Sequence, residues 1–254
     1  MARPRNARRF GFLLKGRKLW LSELLSLFIV IMIAAAFFLL TGRIVSNETA
    51  IYRNTGRLGR LQADNVLLTH QEKGLRDRVA IAELLCSIAG NRIDPDVLLE
   101  LSGIVYKNSN KFGYDPLLLL SVIEVESVYN PEARGKYRSG KHSGALGLMQ
   151  IKPATAREIA IQLGMHNLAD DDLFKPEVNV ILGVAYLTTM IERFNSFKLG
   201  ILAYNQGPGV ISKQLSENTE LSVQYYQKVL KAYYRLKNNA MQLAAAESTE
   251  PVCR

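Results

Sequence analysis

The chain has 254 residues, 48% hydrophobic and 22% charged, with 18 Gly, 8 Pro and 2 Cys. That balance excludes a disordered tail protein, a collagen-like repeat and a small disulfide scaffold, and the length suffices for one or two domains with a proper core. The formal net charge is +9, yet Arg3, Arg5, Arg8, Arg9, Lys15, Arg17 and Lys18 place seven of those charges in an acid-free tail over residues 1–18, so the spread of basic residues over a folded face that a nucleic-acid-binding domain needs is missing and no nucleic-acid partner is expected.

Residues 1–18 form the basic tail, and 19–42 read as a membrane anchor. Leu24 to Gly42 contains 19 residues without a formal charge. At ~1.5 Å per helical residue this run reaches roughly 28 Å, the hydrocarbon thickness of a bilayer. Trp20 sits at one edge, where an indole favours the interface. The apolar region of a signal peptide is shorter, about 7–15 residues, and nothing after Leu40 reads as a small-x-small cleavage site; cleavage at Ala34 to Ala36 would cut mid-run. Seven basic residues precede the run, against four just after it (Arg43, Arg53, Arg57, Arg60). The asymmetry places the N-terminus in the cytoplasm and residues 43–254 outside. Cys86 and Cys253 then lie where disulfides are permitted. With Cys86 on an apolar helix and Cys253 in a tail, two unpaired thiols are expected.

Residues 43–93 read as a helical stalk. Its first part, 43–74, is polar with scattered apolar positions and three Gly, and is expected to be only partly helical. Val79, Ala82, Leu84, Leu85 and Ile88 then trace a helical face, which Gly90-Asn91 stops. Asp94-Pro95 and Asp115-Pro116 each supply an N-cap carboxylate followed by proline in the first turn. The second opens a run, Leu117 to Val128, that is apolar on almost every side and therefore central; it stops at Asn130-Pro131. Residues 131–148, rich in Gly, Ser and basic groups, cannot continue a helix. Further helices begin near Pro153, closing at Gly164, and near Pro176, running to about Phe194. Lys198 to Tyr204 and Ser222 to Leu236 look like two more, separated by the turn signal Asn205-Gln206-Gly207-Pro208-Gly209. No stretch alternates convincingly for a long strand. The fold class is mostly α, with a folded domain over 94–236 and a loose tail over 237–254.

The apolar central helix carries Glu124 and Glu126. Two positions apart on a helix is about 200°, so the carboxylates cannot form a side-by-side acid pair: one can meet solvent while the other meets a cleft. Glu126 has Val122, Ile123 and Tyr129 as helical neighbours. A carboxyl among apolar side chains has its charged form desolvated, which raises its pKa and fits it to protonate a leaving oxygen. The alternative from spacing alone is a carboxylate capped by backbone or by an arginine. The three histidines, His70, His142 and His166, are scattered, so no metal-ligand cluster is visible and no cofactor is expected.

Glu126-Ser127 is followed by Asn130-Pro131, Ala133, Gly144-Ala145-Leu146-Gly147-Leu148-Met149-Gln150-Ile151, Pro153 and Thr155-Ala156. Further on come Asn179-Val180, Gly183, Tyr186-Leu187, Ala203-Tyr204-Asn205-Gln206-Gly207, and Tyr225 with Val229. This ordered set, over about residues 94–236, resembles the soluble-lytic-transglycosylase (SLT) domain, the lysozyme-like catalytic domain of membrane-bound and soluble lytic murein transglycosylases. The resemblance implies a lysozyme-like helical fold and a lyase that cuts the β-1,4 bond between N-acetylmuramic acid and N-acetylglucosamine in peptidoglycan, leaving a 1,6-anhydro end. Glu126 matches the family's catalytic glutamate, acting as acid and then as base. The absence of a partner acid beside it in the sequence fits a mechanism that does not use two carboxylates.

By the same resemblance Ser127 helps place the glutamate or the substrate, and Gly147, Met149 and Gln150 line the cleft. Tyr204 and Asn205 approach the glutamate from the far side, and Tyr186 and Tyr225 add contacts. The segment between Ala133 and Gly144 is longer than is usual in the family. It includes Arg134, Lys136, Arg138, Lys141 and His142, either a solvated loop or a site attracting carboxylates of the substrate, and it leaves the role of Ser143 open. The implied location is the bacterial inner membrane, crossed once, with the catalytic domain in the periplasm. Peptidoglycan strands are the implied partner, and envelope or secretion machinery a further one that the segment 43–74 would serve as a docking element. Two other readings stay open: a hydrolase of the same fold, as in goose-type lysozymes, and a non-catalytic wall-binding scaffold.

Overall fold

The computed structural model describes residues 7–89, 93–137 and 139–246, with side chains from Trp20 onward. The chain divides into two units, Met1–His70 and Gln71–Arg254. Helix α1 runs over Ala7–Ala89 and supplies all the described structure of the first unit. There its large apolar side chains, Trp20 to Leu40 and on to Leu68, are exposed. Among the described residues it is the one helix long and apolar enough to cross a membrane. The polar segment after Gly42, expected to be partly helical, is helical throughout. Gly56 and Gly59 cost up to about 1 kcal/mol each, which the Arg, Leu and Gln residues around them tolerate.

In the second unit the last turns of α1 bury Ile81, Leu84, Leu85 and Ala89. Cys86 on the same turns is disulfide-bonded, which corrects the expectation of two unpaired thiols. Cys253 and the end of the chain lie outside the described residues, as do Gly90-Asn91 and Arg138.

Both Asp-Pro signals act as expected. Asp94 accepts from the Asp96 N–H at 2.9 Å to open α2 (Pro95–Phe112), and Asp115 accepts from Leu117 N–H at 2.8 Å to open α3 (Pro116–Ser127). Gly113, at φ 72°, ends α2 with its N–H on the Ser109 carbonyl. Helix α3 buries Leu118 to Ile123 without interruption, because its partners α2 and α8 (Gln224–Ala246) take up both faces. Residues 131–148 hold a two-stranded antiparallel hairpin, β1 (Arg134–Lys136) with β2 (His142–Leu146), pairing Arg134 with Leu146 and Lys136 with His142. Helix α4 (Pro153–Gln162), a 3₁₀ turn (Asp170–Phe174) and α5 (Pro176–Phe194) follow, each α-helix starting on its proline.

Two differences from the sequence reading lie near the C-terminus. The turn signal at 205–209 is a single break at Gly207, φ 89°, between α6 (Phe197–Gln206) and a helix that the reading lacked, α7 (Pro208–Ser216). Proline at the first helical position starts α7, and its Ile211 is fully buried. Helix α8 continues past Leu236 to Ala246 because Ala240 and Leu243 still pack on the main core. The described residues are mostly helical, as expected, around one large core and two satellite clusters.

Candidate active site

Helix α3 presents its two carboxylates to different surroundings. Glu124 pairs with Arg235 of α8 and accepts from the Tyr129 hydroxyl at 3.1 Å, facing a cavity that also touches Ile93, Val97 and Pro131. Glu126 lines a different cavity, of about 680 Å³. Its Oε1 accepts from the Tyr225 hydroxyl at 2.5 Å. Burial pushes the Glu126 carboxyl up to about 7, and the Tyr225 hydrogen bond pulls against that rise. Of the alternatives left open for Glu126, capping by arginine is the state of Glu124 instead; no ion pair reaches Glu126 among the described residues.

The helix ends immediately after this site in a conformation L residues seldom adopt. Val128 at φ 54° and Tyr129 at φ 63° are successive left-handed residues, the Val128 N–H returning to the Glu124 carbonyl at 3.0 Å. A β-branched residue there is strained by about 1–3 kcal/mol. The buried ring of Tyr129 and its bond to Glu124 hold the turn in place. Ser127, on the last helical turn, is buried and donates to the Ile123 carbonyl at 3.0 Å while touching the cavity.

The facing wall comes from the segment 143–152. Gln150, at φ 48°, donates through Nε2 to the carbonyls of Ala133 (3.0 Å) and Gly147 (2.8 Å), tying the hairpin to the loop that follows it. Behind the loop stands Asn179, fully buried on α5. Its Oδ1 accepts from the Met149 N–H at 2.7 Å, and its Nδ2 donates to the carbonyls of Leu146 (2.9 Å) and Leu173 (2.7 Å). Gly147, at φ 74°, is wedged against that amide: a Cβ there would lie 2.1 Å from the Leu173 carbonyl oxygen and 2.2 Å from Asn179 Nδ2.

Of the residues singled out in the sequence, Glu126, Ser127, Gln150, Tyr186, Tyr204 and Asn205 all line the one cavity. Tyr225 reaches Glu126 from behind it. Gly147 and Met149, expected in the cleft wall, stand behind the wall: Met149 is fully buried in the core against Gly183, whose own Cβ would lie 2.5 Å from the Met149 sulfur. An apolar thioether on a buried turn packs inward, leaving Gln150 to face the cavity. Tyr204, expected to approach the glutamate from the far side, lines the cavity but turns its hydroxyl elsewhere. Its hydroxyl donates to the Met149 carbonyl at 2.7 Å, its ring sits 5.3 Å from that of Tyr186, and Tyr225 supplies the hydroxyl that meets Glu126.

The sequence reading did not pick out Lys152 and Thr155, or the hairpin's Tyr137, as cavity-lining residues, nor Asn179 as the brace of the loop. An asparagine inside the apolar run Val178 to Val184 was the signal for the last, since a buried amide there needs partners elsewhere in the chain. Glu126 is the one carboxylate lining this cavity among the described residues, and no group of three or more His, Cys, Asp or Glu is placed to hold a metal ion.

Comparison with known proteins bears on this geometry. Membrane-bound lytic murein transglycosylase C of Cronobacter sakazakii is 28% identical over 198 residues, 72% of this chain and 52% of its own length. The protein of the same name from Klebsiella pneumoniae is 30% identical over 192 residues, 70% of this chain and 50% of its own. The chain thus spans about half the length of these relatives. Among solved structures, that of the 70 kDa soluble lytic transglycosylase of Escherichia coli is similar over 62% of this chain and 28% of its own, at 19% identity and a TM-score of 0.43. The family described as the Transglycosylase SLT domain matches residues 103–227, a stretch that contains every residue lining the Glu126 cavity. Residues 103–227, just under half of the chain, are thus similar to the transglycosylase SLT domain family.

Proposed function

We propose that the chain is a membrane-anchored lytic transglycosylase acting on peptidoglycan, with Glu126 as its single acid and base. The observation that carries this reading is the state of Glu126: a carboxyl on a cavity wall, raised to about 7 by burial and bonded to a phenol. A group with that pKa is about half protonated at neutral pH, so it can give a proton and take one back, both within reach of the working pH. Glu126 first protonates the oxygen of the bond between muramic acid and glucosamine as that bond breaks. The carboxylate then takes the proton from the muramoyl 6-hydroxyl as its oxygen closes on C1, leaving a 1,6-anhydro end and Glu126 protonated again. Water enters neither step.

A lone cavity carboxylate suits this route better than hydrolysis by a carboxylate pair, where the second group sits roughly 5–10 Å from the first. Tyr225 orients the carboxyl, Ser127 and Gln150 shape the wall, and Tyr186, Tyr204 and Asn205 offer an aromatic and amide surface for a sugar ring. In this reading residues 1–18 are cytoplasmic, 19–42 cross the inner membrane, 43–93 form the stalk, and 94–236 form the catalytic domain in the periplasm. The apolar helix and the names of the relatives support the anchor, and a disulfide at Cys86 suits an oxidising compartment.

Digestion of purified sacculi tests the reading. Fragments about 18 Da lighter than hydrated ones, without a reducible end, are expected, and Glu126→Gln is expected to lower the rate by roughly 10²–10⁴-fold. Reducing ends alone would show a hydrolase; wall clearing by Glu126→Gln would move the acid elsewhere.

A further inference from the structure

The cavity that Glu126 lines also carries cations that no ion pair neutralises among the described residues. Arg134 and Lys136 on β1 and Lys152 at the start of α4 line the cavity. None of the three is in an ion pair among the described residues, whereas Arg157 and Lys175 nearby are paired, to Asp170 and Asp172. Their placement is built into the hairpin. The Arg134 guanidinium lies 4.4 Å over the Phe174 ring, a stack that leaves its in-plane N–H edge open to a carboxylate. Gly135, between the two β1 cations, packs so closely that a Cβ would sit 2.2 Å from Ser143 Oγ and 2.7 Å from Gln150 Oε1. The strand is thereby fixed against the same glutamine that forms the cavity wall.

We infer that Arg134, Lys136 and Lys152 form a carboxylate-binding rim that selects muramoyl residues by the negative charge hung from their C3 oxygen. The inference rests on the peptidoglycan reading and adds to it a substrate preference. That charge has two sources. A bare strand exposes the lactyl carboxylate itself; a peptide-bearing strand has that carboxyl locked in an amide and offers the carboxylates of the peptide instead. The glycan backbone is otherwise neutral, so three unpaired cations have nothing else on it to meet.

The test uses the full chain in detergent and four strand preparations: peptide-bearing, stripped of peptide by an amidase, and each of these with every carboxylate converted to a methylamide. Cleavage gives kcat/KM, and binding is measured separately on the Glu126→Gln protein, which holds strands without turning them over. Each exposed pair is worth a factor of about 2–5, so the methylamide strands are expected to bind and react roughly tenfold more weakly. Raised salt should erase the difference, and Arg134→Glu with Lys136→Glu, which leaves the rim net negative, should abolish or invert it. A preference for stripped over peptide-bearing strands assigns the lactyl carboxylate as ligand; the reverse assigns the peptide. Equal binding of charged and methylamide strands in both the stripped and the peptide-bearing form overturns the rim, as does a preference for charged strands that survives the double charge reversal. Charge-selective binding by a protein that cleaves no strand would sink the catalytic reading and leave the rim standing.

Discussion

Glu124 and Glu126 are one residue type, two positions apart, on one helix, and the structure gives them opposite conditions. Glu124 has a guanidinium and a phenol; Glu126 has burial and a phenol only. Two predictions follow from the second state. The general acid must be protonated, so kcat/KM on sacculi should fall about tenfold per pH unit above about 7 as Glu126 ionises. Because the Tyr225 hydrogen bond lowers the Glu126 pKa, Tyr225→Phe should move that alkaline limb to higher pH. A limb that stays in place would show that Tyr225 does not set the acid's pKa. The same shift touches stability. A carboxyl raised from 4.5 to about 7 on folding binds its proton more tightly in the native state. Its contribution is present in full below pH 4.5 and is lost as pH rises through about 7. The loss amounts to about 3 kcal/mol. Glu126→Gln lacks the ionisation, so it should be more stable than the natural chain at pH 8 and no more stable at pH 4 by denaturant midpoints.

At the scale of elements, the site depends on one brace. Asn179 satisfies an N–H and two carbonyls of the segments that enclose the loop, and Gly147 fits against it only for want of a Cβ. Asn179→Ala leaves the Met149 N–H and the Leu173 carbonyl without partners, at about 1–3 kcal/mol each, while the Leu146 carbonyl keeps the Ile151 N–H. The variant should lose several kcal/mol in urea titration and turn over more slowly even where it remains folded. Gly147→Ala should fail in the same way, by steric overlap combined with φ 74°. Retention of natural stability by either would show that the loop has another support. The capped helices α2 and α3 were legible in the sequence because an Asp-Pro pair states both the missing hydrogen bond and the fixed φ at a helix start. The central burial of α3, and Glu126 as its exceptional residue, were legible from a polar group in an apolar run. What was not legible depended on partners distant in the chain. Pro208 reads equally as turn or as helix start, and only the pocket that buries Ile211 decides for α7. Met149 and Tyr204 are inward or outward according to how the loop turns at Gln150, a left-handed residue that nothing local demands. The hairpin is too short to show period-2 alternation over three and five residues.

At the scale of the whole molecule, the proposed function requires the residues beyond the apolar run to lie outside the cytoplasm. The charge count gives one answer independently of the site: seven basic residues precede the apolar run and four follow closely. A wall-cutting site would also have to be outside to meet its substrate. Alkaline carbonate should therefore leave the chain in the membrane pellet, where a peripheral protein would be released. Protease added to spheroplasts should degrade residues beyond the anchor and spare a fragment holding the basic tail and the apolar run. Replacing the basic residues of the tail with glutamine should weaken this orientation, because the asymmetry that sets it is only moderate, and a protected full-length fraction should appear in the same assay. Full protection of the natural chain would place the SLT domain in the cytoplasm, away from any sacculus, and with it the function assigned to Glu126 would lose its substrate.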